Sequence, residues 1–393
     1  MNESLNRLAN LSRKETRTII GLMSGTSLDG LDIAVCKIGG NGLNTSVEVL
    51  NFETVEYAED FKNDLRTIFS KKKVDLEKVT LLNAKIGNLH AELINSFLQK
   101  HKISKAEIDC IASHGQTIYH APKRLHQQDN YPNATLQIGD ADHIAVKTGI
   151  PTISDFRQKH VAAGGEGAPL ALYGDYILFS SQTESRVLLN IGGISNFTYL
   201  PKSGNGLQIV STDAGPGNTL IDALCKKHFN CSYDKNGDIA RKGKVNIELL
   251  NHLLAHPFFG EVFPKTTGPE LFNLSYVEDG IKAFQNEITA EDLISTATEF
   301  TAEAVAESIK EVIKDENFSL YASGGGANNS YLIERIADKL PQAQVKNINE
   351  LGIAGDAKEA VLFALLANET LCGSALQTHA GPQIMMGKIS LPE

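Results

Sequence analysis

A chain of 393 residues exceeds what one hydrophobic core usually supports, so two lobes of roughly 150–200 residues with a ligand cleft between them are expected. Its 42% hydrophobic and 21% charged residues exclude a disordered chain. A net charge of −10 and a pI near 5.6 exclude the basic surface that non-specific binding to nucleic acid or anionic lipid requires.

The opening MNESLNRLANLSRKET is polar and lacks the apolar stretch of a secretory signal, so residues 1–16 are taken as an extension without a role. No apolar run approaches the roughly 18 residues of a membrane span. Five cysteines, Cys36, Cys110, Cys225, Cys231 and Cys372, without CxxC spacing, read as buried, reduced thiols, as in a cytoplasmic protein.

From Thr18 to Met23 and again from Leu31 to Ile38 the chain is apolar, with SGTSLDG between, which reads as a β-hairpin. Backbone N–H groups of such a turn can cradle phosphate oxygens. It is not a Walker loop, since no GK[ST] follows and it joins two strands; a plain hairpin turn would account for its glycines as well. Ile86, Leu89, Leu93 and Phe97 share one face of a helix. A short strand around Asp109 to Ala112 then runs into the strand-to-loop segment SHGQT. There His114 and Gln116 are candidates for hydrogen bonding to a substrate; His114 and His120 lack the third ligand of a metal site. Asp155 and Arg157 flank Phe156, so an extended segment would project both to one side, to grip a sugar or to pair with each other. The boundary between lobes is placed near residue 150, with lobes 17–150 and 151–393.

The second lobe opens on the same grammar, where Val187 to Ile191 and Ser195 to Leu200 flank Gly192-Gly193, a turn that permits close backbone approach. An apolar strand, Leu207 to Val210, then leads to STDAGPGN. Asp213 is expected at that strand's end, facing the helix N-terminus that Gly215, Gly217 and Asn218 open. A carboxylate on a rigid element near such dipoles suits a catalytic base; a turn former or cap would share the spacing. Thr289 and Asp292 form a capping-box pattern before a helix running from Leu293 to Val312. Phe318 to Ala322 reads as a strand entering Gly324-Gly325-Gly326 and a helix from about Asn329, a turn whose N–H groups suit an anion or a base. Asp356 opens a last helix through Ala367, which is expected to pack back on the first lobe.

Taken together, GLMSGTSLDGLDIA, SHGQT, SDFRQKHVAAGGEGAPL, NIGGISNFT, TDAGPGN, SGGGANN and GDAKEAVLFALLA resemble the anhydro-N-acetylmuramic acid kinase family from about Ile19 to Leu371. The resemblance implies the α/β fold of actin, sugar kinases and heat-shock ATPases, two lobes each with a mixed sheet flanked by helices and a cleft between. It implies opening of the 1,6-anhydro bond and phosphorylation of O6 with ATP and Mg²⁺, giving N-acetylmuramic acid 6-phosphate in cell-wall recycling. Carried over, Gly25, Thr26, Ser27, Leu28, Asp29, Gly30, Leu31 and Asp32 are the ATP loop, Gly324, Gly325 and Gly326 line the nucleotide, Asp213 is the catalytic base and Arg157 contacts the sugar. On the residue reading, Ser24, Gly192, Gly193, Gly215, Gly217 and Asn218 complete the nucleotide set, and His114, Gln116 and Asp155 the sugar set.

Sugar kinases usually carry an acidic residue at the end of the first strand, where this chain has Met23 and Ser24, so Asp29 or Asp32 is the substitute magnesium contact. The segment around Lys123 to Asn133 is extra and has no assigned role. Expected partners are a small amino sugar and ATP, with neither nucleic acid nor membrane; a homodimer is left open. Rival readings are a kinase of another small sugar or carboxylic acid, a nucleotide-switched binding module of the actin or chaperone type, and a glycoside hydrolase using Asp155 and Asp213.

Overall fold

The structure, a computed structural model, describes all residues except 1–2, 26–27, 203–207, 283–287, 315–316 and 376–380. Two compact units are formed, one by residues 1–178 with 356–393, the other by 179–355.

The first unit carries a seven-stranded mixed sheet. Its strands are β1 (Thr16–Ser24), β2 (Gly30–Gly39), β3 (Ser46–Glu56), β4 (Cys110–Ala121), β5 (Ala134–Ile138) and β6 (Thr152–Ser154), with the C-terminal strand Lys388–Ser390 at the far edge. β1 and β2 form the expected hairpin, with Met23 opposite Asp32. β1 also runs parallel to β4, which runs parallel to β6. That β4–β6 ladder draws residues beyond 150 into the first unit, so the division falls after Leu178 instead of near 150.

Helix Leu76–His101 is capped by the Asp75 carboxylate, which accepts from Glu77 N–H, and buries Ile86, Ile94 and Phe97 in one core with Ile20, Leu22 and Ile111 of the sheet. The last helix, Lys358–Cys372, crosses β1 at Gly21, where an added Cβ would lie 1.9 Å from the Ala360 carbonyl oxygen; only glycine permits that approach.

The N-terminal segment is a helix, Glu3–Arg13, where an extension without a role was expected. Arg17 is the reason. Its buried guanidinium donates to the carbonyls of Leu11, Ser12 and Lys14 at 2.8, 3.2 and 2.5 Å and to Asn368 Oδ1 at 3.0 Å, tying the end of the helix to the last helix of the chain.

The second unit is a five-stranded sheet of β7 (Ser185–Ile191), β8 (Ile194–Leu200), β9 (Val210–Pro216), β10 (Phe318–Ser323) and β11 (Ala343–Asn347), in the order β11-β10-β7-β8-β9. Helix Ala290–Ile313 starts where Thr289 Oγ1 accepts from Asp292 N–H at 3.1 Å. Asp292 Oδ1 accepts from Lys244 N–H at 2.6 Å, so the carboxylate anchors a neighbouring loop. Along this helix Ala302, Val305 and Ile309 join Val187, Leu189 and Leu320 in one core; Phe258, Phe272 and Phe300 gather in a second.

Two local expectations are corrected. SHGQT lies inside β4, because β5 folds back antiparallel on its end and extends the ladder to Ala121. Asp155 and Arg157 do not share an extended segment: Asp155 adopts φ 54° as the cap of helix Phe156–Ala162, which rotates the two side chains apart.

Candidate active site

In the second unit, three glycine turns far apart in sequence lie against one another. The Gly193 carbonyl between β7 and β8 accepts from Gly217 N–H at 2.8 Å and Thr219 N–H at 3.2 Å, and from Thr219 Oγ1 at 2.7 Å. The Gly192 carbonyl accepts from Asn218 N–H at 2.8 Å, and Asn218 Nδ2 donates to Ile191 O at 3.3 Å. A Cβ on Gly217 would sit 2.3 Å from Gly192 O, and one on Gly326 would sit 2.3 Å from Ile191 Cγ2 and 2.9 Å from Asn218 Oδ1. Gly324, at φ +80°, turns the chain out of β10 beside the Ile191 carbonyl. Helix Thr219–Phe229 opens at Asn218, so the positive end of its dipole is at these turns.

Asp213 lies within β9, opposite Asn196 and beside a bulge at Ser195/Asn196, not at a strand end as expected. β9 starts at Val210 and continues to Pro216, with Gly215 at φ +144° packed on Ala304 and Phe259. The half-buried side chain receives Thr267 N–H on Oδ2 at 2.9 Å, and the Asp213 N–H donates to Lys265 O at 3.1 Å.

In the first unit, a buried hydrogen-bond chain ends at the hairpin turn. Tyr57 Oη donates to Ser24 Oγ at 2.9 Å, and Ser24 Oγ donates to Gln116 Oε1 at 2.6 Å. Gln116 Nε2 in turn donates to Gly25 O at 3.2 Å. Because the single Tyr57 proton goes to Ser24, His90 Nε2, 2.9 Å from Tyr57 Oη, carries a proton and donates. Gln116 is fully buried, and its amide holds the turn from within. Leu28 takes φ 59° and its N–H donates to Gly25 O at 3.4 Å; Thr26 and Ser27, also expected in the ATP loop, lie outside the described residues. Leu31 is core, and Gly30 passes so close to β3 that a Cβ would lie 2.5 Å from Val55 O.

Asp29 is exposed and its Oδ1 accepts from Gly30 N–H at 3.0 Å. Asp32 accepts from Thr54 Oγ1 at 2.6 Å. Burial, offset by that bond and reinforced by the like charges of Asp29 and Asp356, holds its carboxyl above the usual range. Arg157 Nε donates to His114 Nε2 at 2.9 Å and Nη1 to Gly167 O at 2.7 Å. His114 therefore accepts at Nε2 and donates from Nδ1 to Gly115 O at 2.9 Å; burial and the Arg157 charge push it down to about 3, so it is neutral. Asp155 pairs with Lys388, not with Arg157. Among the described residues no group of three or more His, Cys, Asp or Glu is placed to hold a metal, and no helix is long and apolar enough to cross a membrane.

Sequence reasoning missed Tyr57, His90, Lys265, Thr267 and Lys388. A buried polar side chain in an otherwise apolar helix face was the signal for His90; the others reach their partners only through the fold.

Two α/β units, each with a mixed sheet that contains an antiparallel hairpin with glycines in its turn, place the chain in the class of two-unit α/β proteins. The chain belongs to the anhydro-N-acetylmuramic acid kinase family, whose model matches residues 17–384. It is 50% identical to the anhydro-N-acetylmuramic acid kinase of Pseudoalteromonas atlantica and 48% identical to that of Pseudoalteromonas translucida, with 100% of both chains covered in each case. It is 42% identical to that of Caldanaerobacter subterraneus over 98% of this chain and 100% of the relative. Among solved structures it is similar to the ADPNP-bound activator of the 2-hydroxyisocaproyl-CoA dehydratase from Clostridium difficile, with a TM-score of 0.43, 14% identity, and 90% of this chain and 95% of that one covered.

Proposed function

We propose that this protein is an ATP-dependent kinase that opens 1,6-anhydro-N-acetylmuramic acid by hydrolysis and phosphorylates the freed O6, giving N-acetylmuramic acid 6-phosphate and ADP for cell-wall recycling. The observation that carries the reading is the convergence of Gly192–Gly193, Gly217–Asn218 and Gly324–Gly326 at one helix N-terminus, in the unit that also holds the Asp213 carboxylate.

Phosphoryl transfer asks a protein chiefly for positioning and for dipoles at the charged oxygens. The glycine turns and the hairpin turn at Gly25, Asp29 and Gly30 are assigned to the nucleotide, while the buried Ser24 and Leu31 hold that turn in place. Asp213 takes a proton from water as the water oxygen bonds to C1; the C1–O6 bond breaks, and O6 bonds to the γ-phosphorus as ADP leaves. Arg157 keeps its charge because its partner His114 is neutral, and its remaining donors are assigned to the sugar carboxylate. Asp155, bound to Lys388, is assigned to shaping that side.

The donor set at Asp29 and Asp32 fits Mg²⁺, which takes one or two carboxylates with phosphate oxygens: burial and like charges raise the Asp32 carboxyl, and a divalent cation would relieve both. When bound, Mg²⁺ would neutralise charge on the transferring phosphates. The five cysteines are free, which suits a reducing compartment such as the cytoplasm.

Mass spectrometry of the product tests the reading. ATP and the anhydro sugar should give the sugar plus one water and one phosphoryl group, made only when ATP is present. Equal phosphorylation of glucose or free N-acetylmuramic acid would favour a general sugar kinase. Ring opening without ATP would favour a hydrolase, and ATP binding without any sugar product a nucleotide-switched module.

A further inference from the structure

Lys265 is a buried cation whose charge the proposed chemistry does not use. It is 5% exposed; the charges of Glu311 and Glu261 act on it, yet burial outweighs them and holds its pKa below the ordinary lysine range. A buried charge whose carboxylates do not offset its burial is costly, and a methionine would fill the same space. Two carbonyls and three rings are its direct partners. Nζ donates to Phe258 O at 3.2 Å and Phe259 O at 3.3 Å, and lies 4.6, 4.7 and 5.8 Å from the ring centroids of Phe258, Phe263 and Phe259. Aromatic faces stabilise a desolvated ammonium through the negative charge of the ring face.

The effect is to close the segment Phe258 to Lys265 on itself, and the closed segment is fastened to the edge strand β9. Lys265 N–H donates to Thr212 Oγ1 at 3.0 Å, and Lys265 O accepts from Thr212 Oγ1 and from Asp213 N–H at 3.1 Å each. Two residues on, Thr267 N–H reaches Asp213 Oδ2 at 2.9 Å. Main chain and carboxylate of Asp213 are thus both held by a loop that the ammonium locks.

We infer that Lys265 is a positioning residue for Asp213: its caged ammonium clamps residues 258–265 so that the backbone of 265–267 orients the carboxylate. The inference deepens the proposed function and rests on Asp213 being the base. A misplacement of the base by a fraction of an ångström lowers turnover without weakening substrate binding.

The test is steady-state kinetics of the full-length protein with ATP and the anhydro sugar, on Lys265→Met, Lys265→Arg, Thr212→Val and, as a control, Asp213→Asn. Lys265→Met should lose about 10- to 100-fold in kcat with both KM values within about 2-fold of wild type, and Lys265→Arg, which keeps the cation, should recover part of the loss. Thr212→Val preserves shape while freeing the Lys265 backbone, and should show the same kcat-only loss with thermal unfolding close to wild type; it decides the matter if Lys265→Met fails to fold. Wild-type kcat in Lys265→Met and Thr212→Val beside an inactive Asp213→Asn would overturn the inference and leave the proposed base standing. KM values rising in step with the loss of kcat, or a collapse in stability of Thr212→Val, would assign the clamp to folding and overturn it too. An active Asp213→Asn would remove the base and the inference with it.

Discussion

The base proposed at Asp213 has to be immobile, and the backbone supplies that condition. The residue is inside β9, its N–H is spent on Lys265 O, and its Oδ2 accepts from Thr267 N–H. Asn keeps the shape and loses the basicity, so Asp213→Asn should lower turnover by at least about 100-fold while the ADP dissociation constant, measured by calorimetry, stays within about 2-fold. Near-normal turnover would take Asp213 out of the mechanism. The residue type and the small residues after it were legible as TDAGPGN; its place in mid-strand was not, because the ladder to β8 that extends β9 past Asp213 is a long-range pairing. Likewise Arg157 and His114 were both candidates, yet their bond spans 43 residues, and local spacing pointed to Asp155 instead.

At the scale of elements, the glycine turns work by contact between backbones. A Cβ at Gly217 would press on the Gly192 carbonyl, and neither backbone can yield without moving Asn218 and the start of helix Thr219–Phe229. Gly217→Ala should therefore weaken ADP binding by about 10-fold or more, since overpacking costs about 1–3 kcal/mol; unchanged calorimetric affinity would show that the turn is not part of the nucleotide site. The helix Glu3–Arg13 depends on a different kind of contact. Arg17→Met would strip donors from three buried or half-buried carbonyls and from Asn368, at about 1.5–3 kcal/mol for charge-assisted bonds. Calorimetry should then show the first unit unfolding about 5–10 °C lower, with kinetic constants at 25 °C little changed; an unshifted transition would mean that the helix contributes nothing to the unit. Both hairpins and helix Ala290–Ile313 were readable from period and turn chemistry, whereas helix Glu3–Arg13 was not, its apolar content being slight and its anchor lying beyond its own end.

For the molecule as a whole, buried histidines set the response to acid. Burial pushes His90 down to about 4, and burial with the Arg157 charge pushes His114 down to about 3, against 6.5 for the unperturbed ring. Between 6.5 and the folded values the unfolded chain binds protons that the folded chain refuses, so stability is full above 6.5 and falls as pH falls, by up to about 1.4 kcal/mol per pH unit for each ring. Urea midpoints measured from pH 7 to pH 4.5 should drop accordingly, and His90→Gln should show a shallower dependence; an identical slope would mean that His90 is charged in the folded state or that other groups dominate. Each histidine is also linked through its neighbours to the hairpin turn or to Arg157.

By itself, the sequence determined both hairpins, the long helices with an apolar stripe and the glycine turns, and which residue types are available for phosphate and proton chemistry, because propensity, period and turn geometry act over a few residues. Only the tertiary structure decided which of those groups meet. The meeting of three glycine turns at Asn218, the exchange of Asp155 for His114 as the partner of Arg157, and the contacts of Lys265 and Thr267 with Asp213 all depend on pairings between distant segments, and no local pattern encodes the partner of a long-range contact.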